Sequence, residues 1–192
     1  MIHRNARLGT LFIFVLLTVA AAACSANRQR EQVAQPTKNY IEQPAANTMA
    51  NDQQAIPRPV GFTNDFENVF TLAQLKYLDS LLLAYQAATT YEIAVITIPS
   101  TLADNRDFDS LTLEIANSWG VGKKEKNNGI LIGLCVGLKK LRIQNGKGIE
   151  AWLSNAATQV IIDEHMLPAF KKGNYFEGVK AGIAAIMEKL PR

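Results

Sequence analysis

The groups of this 192-residue chain that could act chemically are few: two cysteines, two histidines, and a set of polar residues beside glycine loops. The histidines have no histidine partner. His3 opens the chain and His165 stands alone late in a helical pattern, so no paired-histidine metal site is encoded. A surface or capping role suits His165, and no Ser-His-Asp arrangement is recognisable. Gly120-Val121-Gly122 lacks the Gly-Lys-Ser/Thr ending of a phosphate loop. Gly146 and Gly148 read as permitting a left-handed turn rather than as a phosphate cradle. Lys123, Lys124 and Lys126 form a solvated loop, with a docking patch for anionic lipid or a partner as the sharper reading.

The polar groups with a positional logic are Asn127 and Asn128, which precede an apolar strand, and Glu150 and Asn155, which follow the next one. If those two strands form a hairpin, all four lie at one end of a sheet. Amide oxygens can help hold a hard cation, but calcium takes about six to eight oxygens, and carboxylates set its affinity. The chemistry implied is weak binding of calcium or another divalent cation, with no cofactor required.

The two cysteines differ in kind. Cys135 lies within an apolar strand pattern and reads as a small buried side chain. Cys24 follows a basic opening and an apolar run, Leu11 to Ala23, that small residues end. That is the layout of a secretory signal, and the run is too short to cross a bilayer comfortably. Ala21-Ala22-Ala23-Cys24 resembles a bacterial lipobox, with Ala21 where leucine is favoured. Residues 1–23 are therefore expected to be a signal peptide and Cys24 the lipidated first residue. This places the protein in the cell envelope, membrane-anchored and facing the periplasm or exterior.

The remaining chain divides in two. Residues 24–59 are rich in Gln, Asn, Ala and Pro without periodicity, which predicts a disordered tether with no apolar face to dock. Its removal is expected to cost little. Residues 60–190 hold the periodic segments. Thr71 to Gln74 forms a capping-box pattern ahead of Leu72, Leu75, Leu78, Leu82 and Tyr85, predicting a helix over 72–88. Tyr91–Ile98 predicts a core strand, and Asp107 caps a helix facing inward with Phe108, Leu111, Ile115 and Trp119. Ile130–Val136 lacks alternation, as a central strand covered on both faces would. It turns at Gly137-Leu138 into Lys140–Gln144. Asn155 is expected to cap a helix ending before Pro168, and Asn174 with Glu177 to form a capping box opening a helix over 175–189. Alternating helices and strands imply an α/β fold in one domain.

Charge excludes one class of function. Residues 1–59 carry the whole net charge of +3, and the folded part is neutral, so the pI of 8.9 points to no nucleic acid.

Four pieces recur in order: Asn64-Asp65-Phe66; Trp119-Gly120-x-Gly122 followed by Asn128-Gly129-Ile130-Leu131; Ile143-x-Asn145-Gly146-x-Gly148-x-Glu150; and Leu167-Pro168-Ala169-Phe170-x-x-Gly173-x-Tyr175-x-x-Gly178. Together they resemble the TPM domain family, whose members include a thylakoid-lumen protein of photosystem II repair, a worm modulator of acetylcholine receptors and many secreted or anchored bacterial proteins. The resemblance implies a three-layer α/β/α sandwich with a small central mixed sheet. Acid phosphatase activity and divalent-cation binding are attributed to some members. It also adds Asp65 to the candidate site, beside Asn127, Asn128, Glu150 and Asn155, and makes Asp65 and Glu150 the metal-ligating carboxylates. Where the family often reads Asp-Asn-Gly and Leu-Thr-Asp, this chain has Asn127-Asn128-Gly129 and Leu153-Ser154-Asn155. An amide cannot serve as nucleophile or general base. The expectation is a lipid-anchored, non-catalytic module that binds or maintains an unknown membrane protein complex. The alternative is a divalent-cation-dependent acid phosphatase of the TPM type.

Overall fold

A computed structural model describes residues 55–122 and 125–191. The expected signal segment, Cys24, the tether up to residue 54, Lys123 and Lys124 lie outside the described residues. Those described fall in one compact unit.

Four strands form one sheet in sequence order: β1 (Thr63–Asp65), β2 (Glu92–Thr97), β3 (Gly129–Cys135) and β4 (Lys140–Asn145). β1 and β3 each pair parallel with β2, while β4 returns antiparallel to β3 with Ile132 opposite Ile143. The β-branched run of β2 and the seven buried residues of β3 explain why these two occupy the middle. β1 was not foreseen, because it is only three residues long and two of them, Asn64 and Asp65, are disfavoured in strands. Its polar groups are held by side-chain hydrogen bonds as well as by the ladder. Asn64 Oδ1 accepts the Val60 N–H at 2.6 Å, and Asp79 Oδ1 accepts the Thr63 N–H at 2.7 Å.

Alternation along the strands divides the core into two layers. Ile93, Val95, Ile130, Ile132 and Ile143 face α1 (Leu72–Thr89), α4 (Asn155–Ile161) and α6 (Tyr175–Lys189). Ala94, Ile96, Leu131 and Cys135 face α2 (Ser100–Ala103) and α3 (Phe108–Trp119). This is the expected α/β/α arrangement around a mixed sheet. Two parallel crossovers, β1-α1-β2 and β2-α3-β3, step the same way across the sheet on opposite faces, so they are of opposite hand. Nearly all such crossovers are right-handed, which makes one of these two an exception.

The caps follow the sequence in part. The Thr71 hydroxyl accepts the Gln74 N–H and the Gln74 side chain accepts the Thr71 N–H, completing the capping box of α1. Leu78 and Leu82 are buried as expected, whereas Leu72, at the first helical position, is 57% exposed. Asp107 caps α3. Ser154, not Asn155, caps α4: its hydroxyl accepts the Ala157 N–H. The helix does not end before Pro168 either. It widens through a π turn, Ile162–Met166, and continues as α5 (Leu167–Phe170). The Leu167 N–H reaches back five residues to the Ile162 carbonyl. The wider turn relieves the clash a proline ring makes with the carbonyl four residues earlier. Asn174 makes no side-chain cap bond to α6, and Glu177 instead pairs with Lys180.

Residues before Val60 also pack on this domain. Ile56 packs against the α3 layer, and the Pro57 carbonyl accepts the Trp119 indole N–H at 2.7 Å. A lone isoleucine between Ala and Pro has no period to announce it.

Candidate functional site

The sheet has two ends, and the candidate residues divide between them. Asn127 and Asn128 precede β3, and Asn145, at the end of β4, pairs with Ile130, so Glu150 and Asn155 follow at that same end. Asp65 does not join them. It pairs with Thr97, which pairs with Leu134, placing it about 17 Å along the strands from Gly129 by the ordinary rise per residue. Parallel pairing of β1 through β3 makes this unavoidable, since Asp65 closes its strand and Asn127 and Asn128 precede theirs.

At the end where β3 begins, backbones cross closely. A Cβ on Gly146 would lie 2.2 Å from the Asn127 carbonyl oxygen, and one on Gly148 2.0 Å from that of Lys126. These two glycines do not take the expected left-handed conformation; they are required by close approach. Asn128 is 3% exposed, and its side-chain N–H donates to the Thr90 carbonyl at 2.6 Å. Asn127 is exposed and left-handed at φ 46°, with its carbonyl accepting the Gly148 N–H. Glu150 and Asn155 are exposed. Of the candidate residues, this end thus presents one exposed carboxylate, two exposed amides and an amide already engaged.

The opposite end is richer in contacts. Asp65 is 2% exposed; its Oδ1 accepts the Thr97 hydroxyl at 2.6 Å and its Oδ2 the Phe70 N–H at 2.8 Å. Thr97 Oγ1 in turn accepts the Glu67 N–H at 2.9 Å. The Glu67 carboxylate accepts the backbone N–H groups of Val136 (2.7 Å) and Gly137 (3.2 Å), and lies 3.9 Å from the Cys135 sulfur. Ser100 Oγ is 3.7 Å from that sulfur on another side. A thiol becomes a nucleophile beside a cation or a helix N-terminus, and here its neighbour is a carboxylate. Cys135 is fully buried as expected, and its thiol faces the Glu67 carboxylate rather than a cation. Glu67, Thr97 and Ser100 escaped sequence reading because no pattern marks a residue whose partner, a backbone amide for Glu67 and Thr97 or a thiol for Ser100, is distant in the chain.

A cation shared by Asp65 and Glu150 does not fit this geometry, since the two carboxylates are at opposite ends of the sheet. Among the described residues no three of His, Cys, Asp and Glu come together to hold a metal ion. The displaced pKa values belong elsewhere. Hydrogen bonds from the Ser110 side chain and backbone lower Asp107, the Glu177 carboxylate raises Lys180, and burial raises Tyr85.

A family model described as TPM domain matches residues 63–189. Among solved structures, the N-terminal domain of a protein from P. gingivalis is 32% identical, with a TM-score of 0.61, covering 73% of this chain and 87% of that one. A protein from the psychrophilic Bizionia argentinensis is 22% identical, with a TM-score of 0.56 over 65% of this chain and 83% of its own. The N-terminal domain of a Corynebacterium glutamicum protein, 14% identical, has a TM-score of 0.53 over 74% of this chain and 86% of its own. These last two show the fold alone. No curated protein matches the chain in sequence.

Proposed function

As the chain belongs to the TPM domain family, we propose that it is a lipid-anchored envelope module that binds or maintains a membrane protein complex without catalysing a reaction of its own. The observation that carries this reading is the state of Asp65. Asp65 is 2% exposed, and its two oxygens accept hydrogen bonds from Thr97 and Phe70 inside the fold, which favours a structural role over one as nucleophile, base or ligand. The other family positions carry amides, Asn127 and Asn155, which supply no proton-accepting carboxylate. Glu150 alone makes neither an acid-base pair nor a strong cation site. Attachment through acylated Cys24 would hold the domain near membrane proteins, and more than one acyl chain makes such attachment stable.

Two measurements test this. Pull-down from native membranes with the lipidated protein should capture a defined membrane complex, and Cys24→Ser should release the protein from the membrane fraction. Turnover of a generic phosphomonoester by the purified protein, dependent on a divalent cation and abolished by Glu150→Gln, would instead establish a TPM-type acid phosphatase. Glu150 is exposed, so that substitution leaves the fold intact.

A further inference from the structure

A cavity of about 520 Å³ opens between the carboxyl end of β3, the start of β4 and the turn from α5 to α6. Its walls include Leu134, Leu141, Leu167 and Phe170, and its charged lining residues are Lys139, Lys140 and Lys171, with no carboxylate among them. The size suits a small-molecule site, roughly 300–1,000 Å³. Lys140 is engaged elsewhere, its ammonium 5.8 Å from the Phe108 ring centroid in the α3 layer. The ammonium groups of Lys139 and Lys171 form no ion pair or hydrogen bond with the described residues.

Lys139 carries a second signal. It closes the β3–β4 turn, donating its N–H to the Val136 carbonyl, in a left-handed conformation at φ 52°. That conformation favours glycine and penalises a Cβ. The hairpin would be better served by glycine, yet the position holds a cation at the cavity.

We propose that this cavity binds a single-chain amphiphilic anion: an alkyl or aryl body among Leu134, Leu141, Leu167 and Phe170, and a carboxylate or phosphate head at Lys139 and Lys171. The inference is independent of the role in a membrane complex, since neither Asp65 nor Glu150 lines the cavity.

Isothermal titration of residues 25–192, which retain every described residue, with octanoate, octyl phosphate and neutral octanol tests it. Both anions should bind, and octanol should bind at least tenfold more weakly. Lys139→Gly should raise the melting temperature by relieving the left-handed strain while weakening the anions severalfold. Lys171→Glu, at an exposed position, should weaken them tenfold or more with the fold unchanged by circular dichroism. Octanol binding as tightly as the anions would overturn the proposal, as would unchanged anion affinity in both variants, or no binding of any of the three. Co-sedimentation with phosphatidylglycerol vesicles separates the sources of the anion. Charge-dependent vesicle binding without binding of free octyl phosphate would also overturn the cavity assignment, because it would place the anion on the surface.

Discussion

Glu67 and Val136, 69 positions apart, are joined by a 2.7 Å hydrogen bond from the Val136 backbone N–H to the Glu67 carboxylate. With the parallel bond from Gly137, it fastens the loop after β1 to the β3–β4 turn across the top of β2. Glu67→Ala leaves both amides without their acceptor. Hydrogen bonds to charged groups contribute about 1.5–3 kcal/mol, and water replaces part of this at exposed Gly137. The expected loss is therefore about 2 kcal/mol in urea denaturation. Glu67→Gln keeps one acceptor oxygen and should lose about half as much.

Asp65 should behave as a structural residue. Asp65→Asn removes one of two acceptor oxygens in a buried setting and leaves either the Thr97 hydroxyl or the Phe70 N–H poorly matched. The expected destabilisation is about 2–3 kcal/mol, the cost of an unsatisfied buried donor. Calcium affinity measured calorimetrically should not change, because Asp65 and Glu150 are at opposite ends of the sheet. A calcium affinity that fell with Asp65→Asn would require a cation at Asp65 itself.

The layers of this fold were legible because they are written in periodicity. Leu78 and Leu82 repeat at helical spacing, and the apolar run of β3 announces burial on both faces. The candidate site was legible only as far as topology reached. The hairpin placed Asn127, Asn128, Glu150 and Asn155 at one end, while nothing in the sequence revealed that Asp65 ends a strand parallel to β2. Bonds such as Glu67 to Val136 stay invisible to pattern reading, since a backbone amide leaves no mark in residue type. The π turn was hidden for a related reason: Pro168 read as a helix stop, and whether a helix stops or widens depends on what its far side packs against.

Gly148 and Gly173 should separate two reasons for glycine. A Cβ on Gly148 would meet the Lys126 carbonyl oxygen at 2.0 Å, and that atom belongs to backbone. Gly148→Ala should therefore cost about 1–3 kcal/mol, as overpacking does, or more if the loop cannot shift. Gly173 has φ +76° and open space around it, so Gly173→Ala costs only left-handed strain, about 1 kcal/mol. Paired urea titrations of the two variants check the ranking.

Asp107 sets a pH dependence. Bonds from the Ser110 side chain and backbone N–H hold its pKa below 3.8, and Lys140 and Arg142 add a smaller effect in the same direction. A carboxylate lowered on folding stabilises fully above its unfolded pKa, and that contribution disappears as pH falls through the folded value. The stability advantage of the wild type over Asp107→Asn should be constant near neutral pH and close as pH falls below the ordinary aspartate range. A gap that widened on acidification would contradict the assignment.

Where the domain begins can be measured directly. A chain starting at Val60 lacks Ile56, which packs on the α3 layer, and Pro57, whose carbonyl accepts the Trp119 indole N–H. Losing the bond leaves a half-buried donor with water as its main alternative, about 1 kcal/mol. Losing the partly buried isoleucine adds about 1 kcal/mol of apolar contact. A chain starting at Asn51 keeps both. The two should differ by about 2 kcal/mol, seen as a melting temperature several degrees lower for the shorter chain. Ile56→Ser in the longer chain should reproduce about half the difference while leaving the indole bond in place. Trp119 fluorescence supplies a separate readout, since its indole changes hydrogen-bond partner only in the chain that starts at Val60. Equal melting temperatures for the two starts would return the boundary to Val60 and make the Ile56 contact energetically neutral.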